Sequence, residues 1–184
     1  MSTKKLHPII ALAKKTVESY VRDREVPHPQ RLTPEMQEQA GVFVSIHKQG
    51  QLRGCIGTFQ PTQRNVAQEI IRNAISSATR DYRFSSVTVD ELPYLTYKVD
   101  ILTKPEPIKD KHELDPKRYG VLAEYGTKRG ILLPNLEGVT SADQQIEIAS
   151  AKGGILPDEP AQLYRFEVRR FEEDWPPYED DTSP

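Results

Sequence analysis

The sequence predicts a chain that mixes α-helices with antiparallel β-hairpins. Two stretches, 8–22 and 62–80, repeat apolar side chains at helical spacing. Two others, 41–48 with 52–59 and 119–124 with 129–133, read as strand pairs closed by tight turns. The length of 184 residues, with 36% hydrophobic and 28% charged residues, fits one globular domain that can bury a real core.

In the first helix, Ile9, Leu12, Ala13, Thr16, Val17, Tyr20 and Val21 line one face. Pro8 suits its first turn, and the extended segment Val26-Pro27-His28-Pro29 follows it. In the first hairpin Val42, Val44 and Ile46 share one face, and Phe43, Ser45 and His47 the other. A turn symmetric about Gln49-Gly50 puts Val44 opposite Cys55 and Ile46 opposite Arg53, with His47 on the face away from Cys55. Both faces are partly apolar, so the hairpin is expected to be covered on both sides.

Thr62 can cap the second helix, whose apolar face holds Val66, Ala67, Ile70, Ile71, Ala74, Ile75 and Ala78. Leu95, Tyr97, Val99 and Ile101 alternate with Thr96, Lys98 and Asp100, a strand with one wetter face. Residues 104–116 read as a polar connector. Ser141-Ala142-Asp143-Gln144 matches a capping box in which Gln144 reaches back to the Ser141 backbone, and the helix stops near Gly153-Gly154. Residues 163–171 form a last strand. Residues 172–184, acidic and proline-bearing with Trp175 among them, are expected to be flexible and dispensable for folding.

Net charge is −2, but the last 13 residues hold six acids and no Lys or Arg, which leaves residues 1–171 at +4. That is too mild for nucleic acid, which leaves a dense basic stripe. No apolar run reaches the roughly 18 residues of a membrane span. A single cysteine rules out an internal disulfide framework and fits a reducing cytoplasm. His7, His28, His47 and His112 are scattered, so no metal site is expected. Neither phosphate-loop glycines nor a Gly-x-Ser-x-Gly elbow occurs, and the residues name no cofactor.

Chemistry concentrates in Arg53-Gly54-Cys55-Ile56-Gly57-Thr58. In a regular strand Arg53 and Cys55 point the same way, and a guanidinium beside a thiol favours the reactive thiolate. Gly54 and Gly57 suggest a close approach by backbone or ligand. The same residues also fit a small buried thiol packed as core. Asp81-Tyr82-Arg83-Phe84 follows the second helix; Asp81 and Arg83 can hold each other or a ligand, or form a charged helix exit anchored by Phe84.

These segments, in order with Gly41-Val42-Phe43-Val44, Glu91-Leu92, Tyr119-Gly120-Val121, Gly130-Ile131-Leu132-Leu133-Pro134 and Lys152-Gly153-Gly154-Ile155, resemble a known family. It is the AMME chromosomal region gene 1 domain family, whose microbial members are called AmmeMemoRadiSam system protein A. The likeness spans roughly residues 8–171. Tyr82 stands where the family often has proline and Gly153 where it often has alanine; the acidic tail is an addition. The resemblance implies an α+β fold, an antiparallel sheet flanked by helices, in two unequal subdomains with a cleft near the cysteine motif. It also implies association with a Memo-like protein and a radical-SAM protein. It supplies no reaction.

The resulting expectation is a cytoplasmic protein whose cleft binds a small molecule or peptide. Arg53, Gly54, Gly57, Asp81 and Arg83 would line it, and Cys55 would be the candidate nucleophile or redox group. The alternative is a non-catalytic interaction module in which the Arg-Gly-Cys-Ile-Gly motif is structural.

Overall fold

A computed structural model describes residues 6–174. The expected mixture of helices and antiparallel sheet is present, in two sheets of four strands each. The described residues divide into two units: one holds 6–101 and 170–174, the other 102–169. Residues 175–184, with Trp175 and most of the expected flexible tail, lie outside the described residues.

In the first unit, α1 (Pro8–Asp23) buries Ile9, Ile10, Leu12, Ala13, Val17 and Val21. His7 caps it, its ring accepting from the Ile9 backbone N–H, and Arg24 ends it in the left-handed region at φ 61°. A one-turn helix, α2 (Pro34–Gln37), seats Met36 in the core. Strands β1 (Val42–Lys48) and β2 (Gln51–Thr58) form the predicted hairpin. Gln49 and Gly50 both have positive φ, 52° and 80°, as a two-residue turn matched to strand twist requires. Helix α3 (Val66–Thr79) and strand β3 (Leu95–Leu102) follow. Val42, Val44 and Ile46 of β1, with Tyr97, Val99 and Ile101 of β3, pack into one core with α1 and α3.

Helix α3 starts three residues later than expected, capped by Asn65 rather than Thr62. The buried carboxylate of Glu69 explains this. It accepts hydrogen bonds from the Thr62 and Gln63 backbone N–H groups and from the Thr58 and Thr62 hydroxyls, which folds residues 62–63 back over the first turn.

The second unit contains β4 (Glu106–Ile108), β5 (Gly120–Tyr125), β6 (Lys128–Leu132), α4 (Ala142–Lys152) and β7 (Gln162–Phe166). Its sheet runs β4-β7-β5-β6, and a smaller core gathers Val121, Ala123, Leu132, Ala149 and Ile155. The expected connector therefore hides a strand: Pro107 is tolerated because β4 is an edge. Ser141 caps α4 as expected, but Gln144 reaches one residue further, to the Thr140 N–H.

The expected last strand is two. β7 belongs to the second sheet, and β8 (Val168–Glu172) joins the first, ordered β2-β1-β3-β8. At the switch, Glu167 exchanges hydrogen bonds with Thr103: its N–H donates to the Thr103 hydroxyl and its carbonyl accepts from the Thr103 N–H. Two residues of the expected tail are tied down here. Glu172 closes β8, and Glu173 donates its N–H to the Tyr97 carbonyl and pairs with Lys14. Nor is the alternate face of β3 wet: Thr96 and Asp100 are buried, Asp100 in a two-point pair with Arg170 of β8.

Candidate functional site

The site begins with one extra residue in β2. Lys48 faces Gln51 and His47 faces Leu52, as the turn dictates, but Ile46 then faces Gly54. Arg53 is left without a partner, a β-bulge. Every later pair shifts by one, so Ser45, not Val44, faces Cys55. This overturns two expectations. Alternation no longer carries Arg53 to the face of Cys55, and His47, two residues from Ser45, shares the face of Cys55 instead of opposing it.

Gly54 now faces α3. A Cβ there would land on the Ser77 carbonyl oxygen, so helix and strand meet at a distance only glycine permits. The close approach inferred from the sequence is real, and the approaching group is backbone. Gly57 faces Phe43, and a Cβ would land in its ring. Ser77 and Asn73, one turn apart on α3, stitch the hairpin to the helix. The Ser77 hydroxyl accepts from the Ile56 N–H at 2.9 Å and donates to the Val44 carbonyl at 2.8 Å. Asn73 Nδ2 donates to the Val42 carbonyl at 2.8 Å. The sequence carried a signal for both: two polar residues spaced i, i+4 on an otherwise apolar helix face.

Because β2 is an edge strand, the outward polar groups of Cys55 need partners. Asp81 and Arg83 provide them. Asp81 Oδ2 accepts from the Cys55 N–H at 2.9 Å, and Arg83 Nη2 donates to the Cys55 carbonyl at 3.4 Å. The two side chains also clasp each other, Nη2 to Oδ2 at 2.7 Å and Nε to Oδ1 at 3.0 Å. The Arg83 hydrogen bonds, with help from the Cys55 and Arg83 N–H groups and against the cost of burial, hold the Asp81 carboxyl down at about 2.

Arg53 is equally committed. Its Nε and Nη2 pair with Glu91 at 3.0 and 2.9 Å, and Nη1 donates to the Ser85 carbonyl at 2.9 Å. Lys48 Nζ also reaches Glu91, at 2.9 Å. Arg53, then Lys48, and the Thr88 N–H together hold Glu91 at about 2 despite its burial. Both arginines lie against the Phe84 ring, their Cζ atoms 5.9 and 5.4 Å from its centre.

The Cys55 thiol is half-buried and accepts a hydrogen bond from Ser45 Oγ at 3.2 Å. Burial pushes its pKa up; Ser45, Arg83 and Lys98 pull against that, and Asp100 adds to it. Lys98 lies opposite Ser45 on β3, half-buried, and makes no hydrogen bond or ion pair among the described residues. His47 is shifted down, by burial first and then by the Lys98 charge, with the Glu172 carboxylate pulling the other way, which favours the neutral imidazole. One sheet face thus gathers a thiol, a hydroxyl, an imidazole and an ammonium with no ion pair among the described residues, within reach of the Glu172 charge. Regular alternation does not bring Ser45 or Lys98 to the site; only the bulge puts them into line with Cys55.

This fold and motif define a family. The AMMECR1 family model matches residues 10–173, and the chain belongs to that family. It is 47% identical to a protein of Thermotoga maritima, over 90% of this chain and 97% of the other. It is 44% identical to a protein of Clostridium acetobutylicum, over 90% of this chain but 36% of that longer one. The crystal structure of an uncharacterized protein from Pyrococcus horikoshii has the same fold, with a TM-score of 0.84 and 31% identity over 91% of each chain. No helix among the described residues is long and apolar enough to cross a membrane.

Proposed function

We propose that the sheet face bearing Cys55, Ser45, His47 and Lys98 binds a small molecule or peptide through an anionic group. On this reading Arg53, Gly54, Gly57, Asp81 and Arg83 build the site and do not touch the ligand. The observation that carries the proposal is the row Cys55–Ser45–Lys98 across β2, β1 and β3, a thiol held at 3.2 Å by a hydroxyl beside a lysine that makes no ion pair among the described residues. A half-buried ammonium without a partner favours a carboxylate or phosphate. The thiol, kept protonated by burial, serves as a soft contact on the ligand.

In a catalytic version Cys55 is the nucleophile and the neutral His47 the base. A non-catalytic version, in which the motif is structural, is favoured by the raised thiol pKa and by the full commitment of Arg53 to Glu91. Brief treatment of the folded protein with iodoacetamide at neutral pH, read by mass spectrometry, tests the shared premise. Slow labelling of native Cys55 is expected; labelling only after denaturation would return Cys55 to the core.

The family resemblance extends the proposal to a Memo-like protein and a radical-SAM protein as partners. Tyr82 is our choice for the contact. It is 95% exposed, yet Asp81 and Arg83 on either side are clasped to the Cys55 backbone. A rigidly held exposed aromatic suits a protein interface. Co-expression followed by size-exclusion chromatography should give a complex that Tyr82→Ala weakens. Independent elution of all three proteins would remove this part of the proposal.

A further inference from the structure

We propose a second ligand site in the 102–169 unit, a pocket for a small oxyanion, carboxylate or phosphate. It is a cavity of about 420 Å³ lined by Lys104, Glu106, Arg118, Tyr119, Arg165 and Glu167. That volume lies within the range of small-molecule sites.

Three cations meet two carboxylates in this cavity, and the pairing is incomplete. Arg165 donates through Nη1 to the Glu113 carbonyl at 3.0 Å. Its Nε is buried and has no hydrogen-bond partner among the described residues. The nearest carboxylate, Glu106 Oε2, is 3.6 Å away, too far for a hydrogen bond, on a side chain that is 70% exposed. Lys104 is exposed and has no partner among the described residues. Arg118 pairs with Glu167 at 2.8 Å, but both are half-exposed, so the pair is weak and open to exchange.

The contrast with Arg53 is instructive, because there every guanidinium nitrogen has a named acceptor. A buried donor left unpaired is costly unless something else supplies the acceptor. Nε is covered, so an oxyanion would accept from it by displacing the exposed Glu106 side chain, and would take the free Lys104 ammonium.

The platform is rigid. The Arg165 and Arg118 Cζ atoms lie 4.5 and 4.8 Å from the Tyr119 ring centre. Tyr119 is fixed through its backbone: its N–H donates to the Asp115 carbonyl at 2.7 Å, and its carbonyl accepts from Gln145 Nε2 at 2.6 Å. Arg165 sits inside β7, between β4 and β5. A guanidinium pre-placed as Arg165 is loses little freedom on binding.

The test is an NMR titration of the whole chain at constant ionic strength, following the Arg165 Nε–H and Tyr119 signals. Phosphate is one arm and succinate the other. Saturable shifts are expected in at least one arm, and the stronger arm names the ligand class. Lys104→Ala, at an exposed position, should fold normally and weaken binding by about tenfold, as loss of a charge-assisted contact does. Arg165→Gln should remove it. Linear, non-saturating shifts in both arms would overturn the proposal, as would binding unchanged in Lys104→Ala.

Discussion

Ser45 Oγ donates to Cys55 Sγ at 3.2 Å because Arg53 is an inserted residue in β2. In an unbulged hairpin the thiol would face Val44, on the side packed against α3. The bulge instead turns Cys55 towards the polar face and sends the Arg53 side chain to Glu91. The motif arginine and cysteine are thereby separated, and the cation opposite the Cys55–Ser45 pair becomes Lys98.

The two motif glycines should differ in cost. At Gly54 an added methyl meets the Ser77 backbone carbonyl, which is fixed within α3. At Gly57 it lands nearest Cγ of Phe43, at the root of the ring, so the whole side chain must swing aside, although no backbone need move. Gly54→Ala should lose more than the roughly 1–3 kcal/mol typical of overpacking, and Gly57→Ala about 1–3 kcal/mol. Urea melts of both variants measure this. Equal stabilities would argue against the helix–strand contact at Gly54.

Ser77→Ala should cost about 1–3 kcal/mol, because it leaves the Ile56 N–H and the Val44 carbonyl without their shared hydroxyl. Tyr82→Ala should stay within about 0.5 kcal/mol of the parent, because its ring is exposed. Denaturant melts distinguish the two, and a Tyr82 variant as unstable as the Ser77 variant would contradict the picture.

Acid should unfold the first unit through Asp81 and Glu91. Both are held at about 2, below the roughly 4 of an unfolded chain. As pH falls, the unfolded state takes up protons first, so protonation favours unfolding. The stabilisation, about 2–3 kcal/mol for each at most, is full above about pH 5 and is lost between about pH 5 and 2. Melting temperatures measured from pH 7 to 2.5 should fall across that window. Asp81→Asn should be less stable at pH 7 and fall less steeply. A parent curve that stays flat to pH 3 would show that neither clasp is formed.

Much of the fold was legible because local patterns fixed it. The apolar spacing of α1, the Gln49-Gly50 turn and the β5–β6 alternation each define an element without help from the rest of the chain. What escaped depended on distant groups. Arg53 bulges where Glu91, 38 residues on, holds its guanidinium. Residues 62–63 leave the helix for the buried Glu69 carboxylate. The last strand changes sheets at Glu167, bonded to Thr103, 64 residues earlier. The candidate site residues were legible as a cluster: Asp81 and Arg83 do meet Cys55. Their roles were not, since one inserted residue decides which side chains share a face.

We propose that Lys98, not Arg53, supplies the positive charge that an anionic reagent meets beside Cys55. It is tested most directly by comparing native alkylation of Cys55 by iodoacetate, an anion, and by iodoacetamide, which is neutral. The account predicts a higher iodoacetate-to-iodoacetamide rate ratio in the folded chain than in the unfolded one. Lys98→Ala should lower that ratio about fivefold, the effect of about 1 kcal/mol of screened attraction. A folded-state ratio equal to the unfolded one, unchanged by Lys98→Ala, would contradict it.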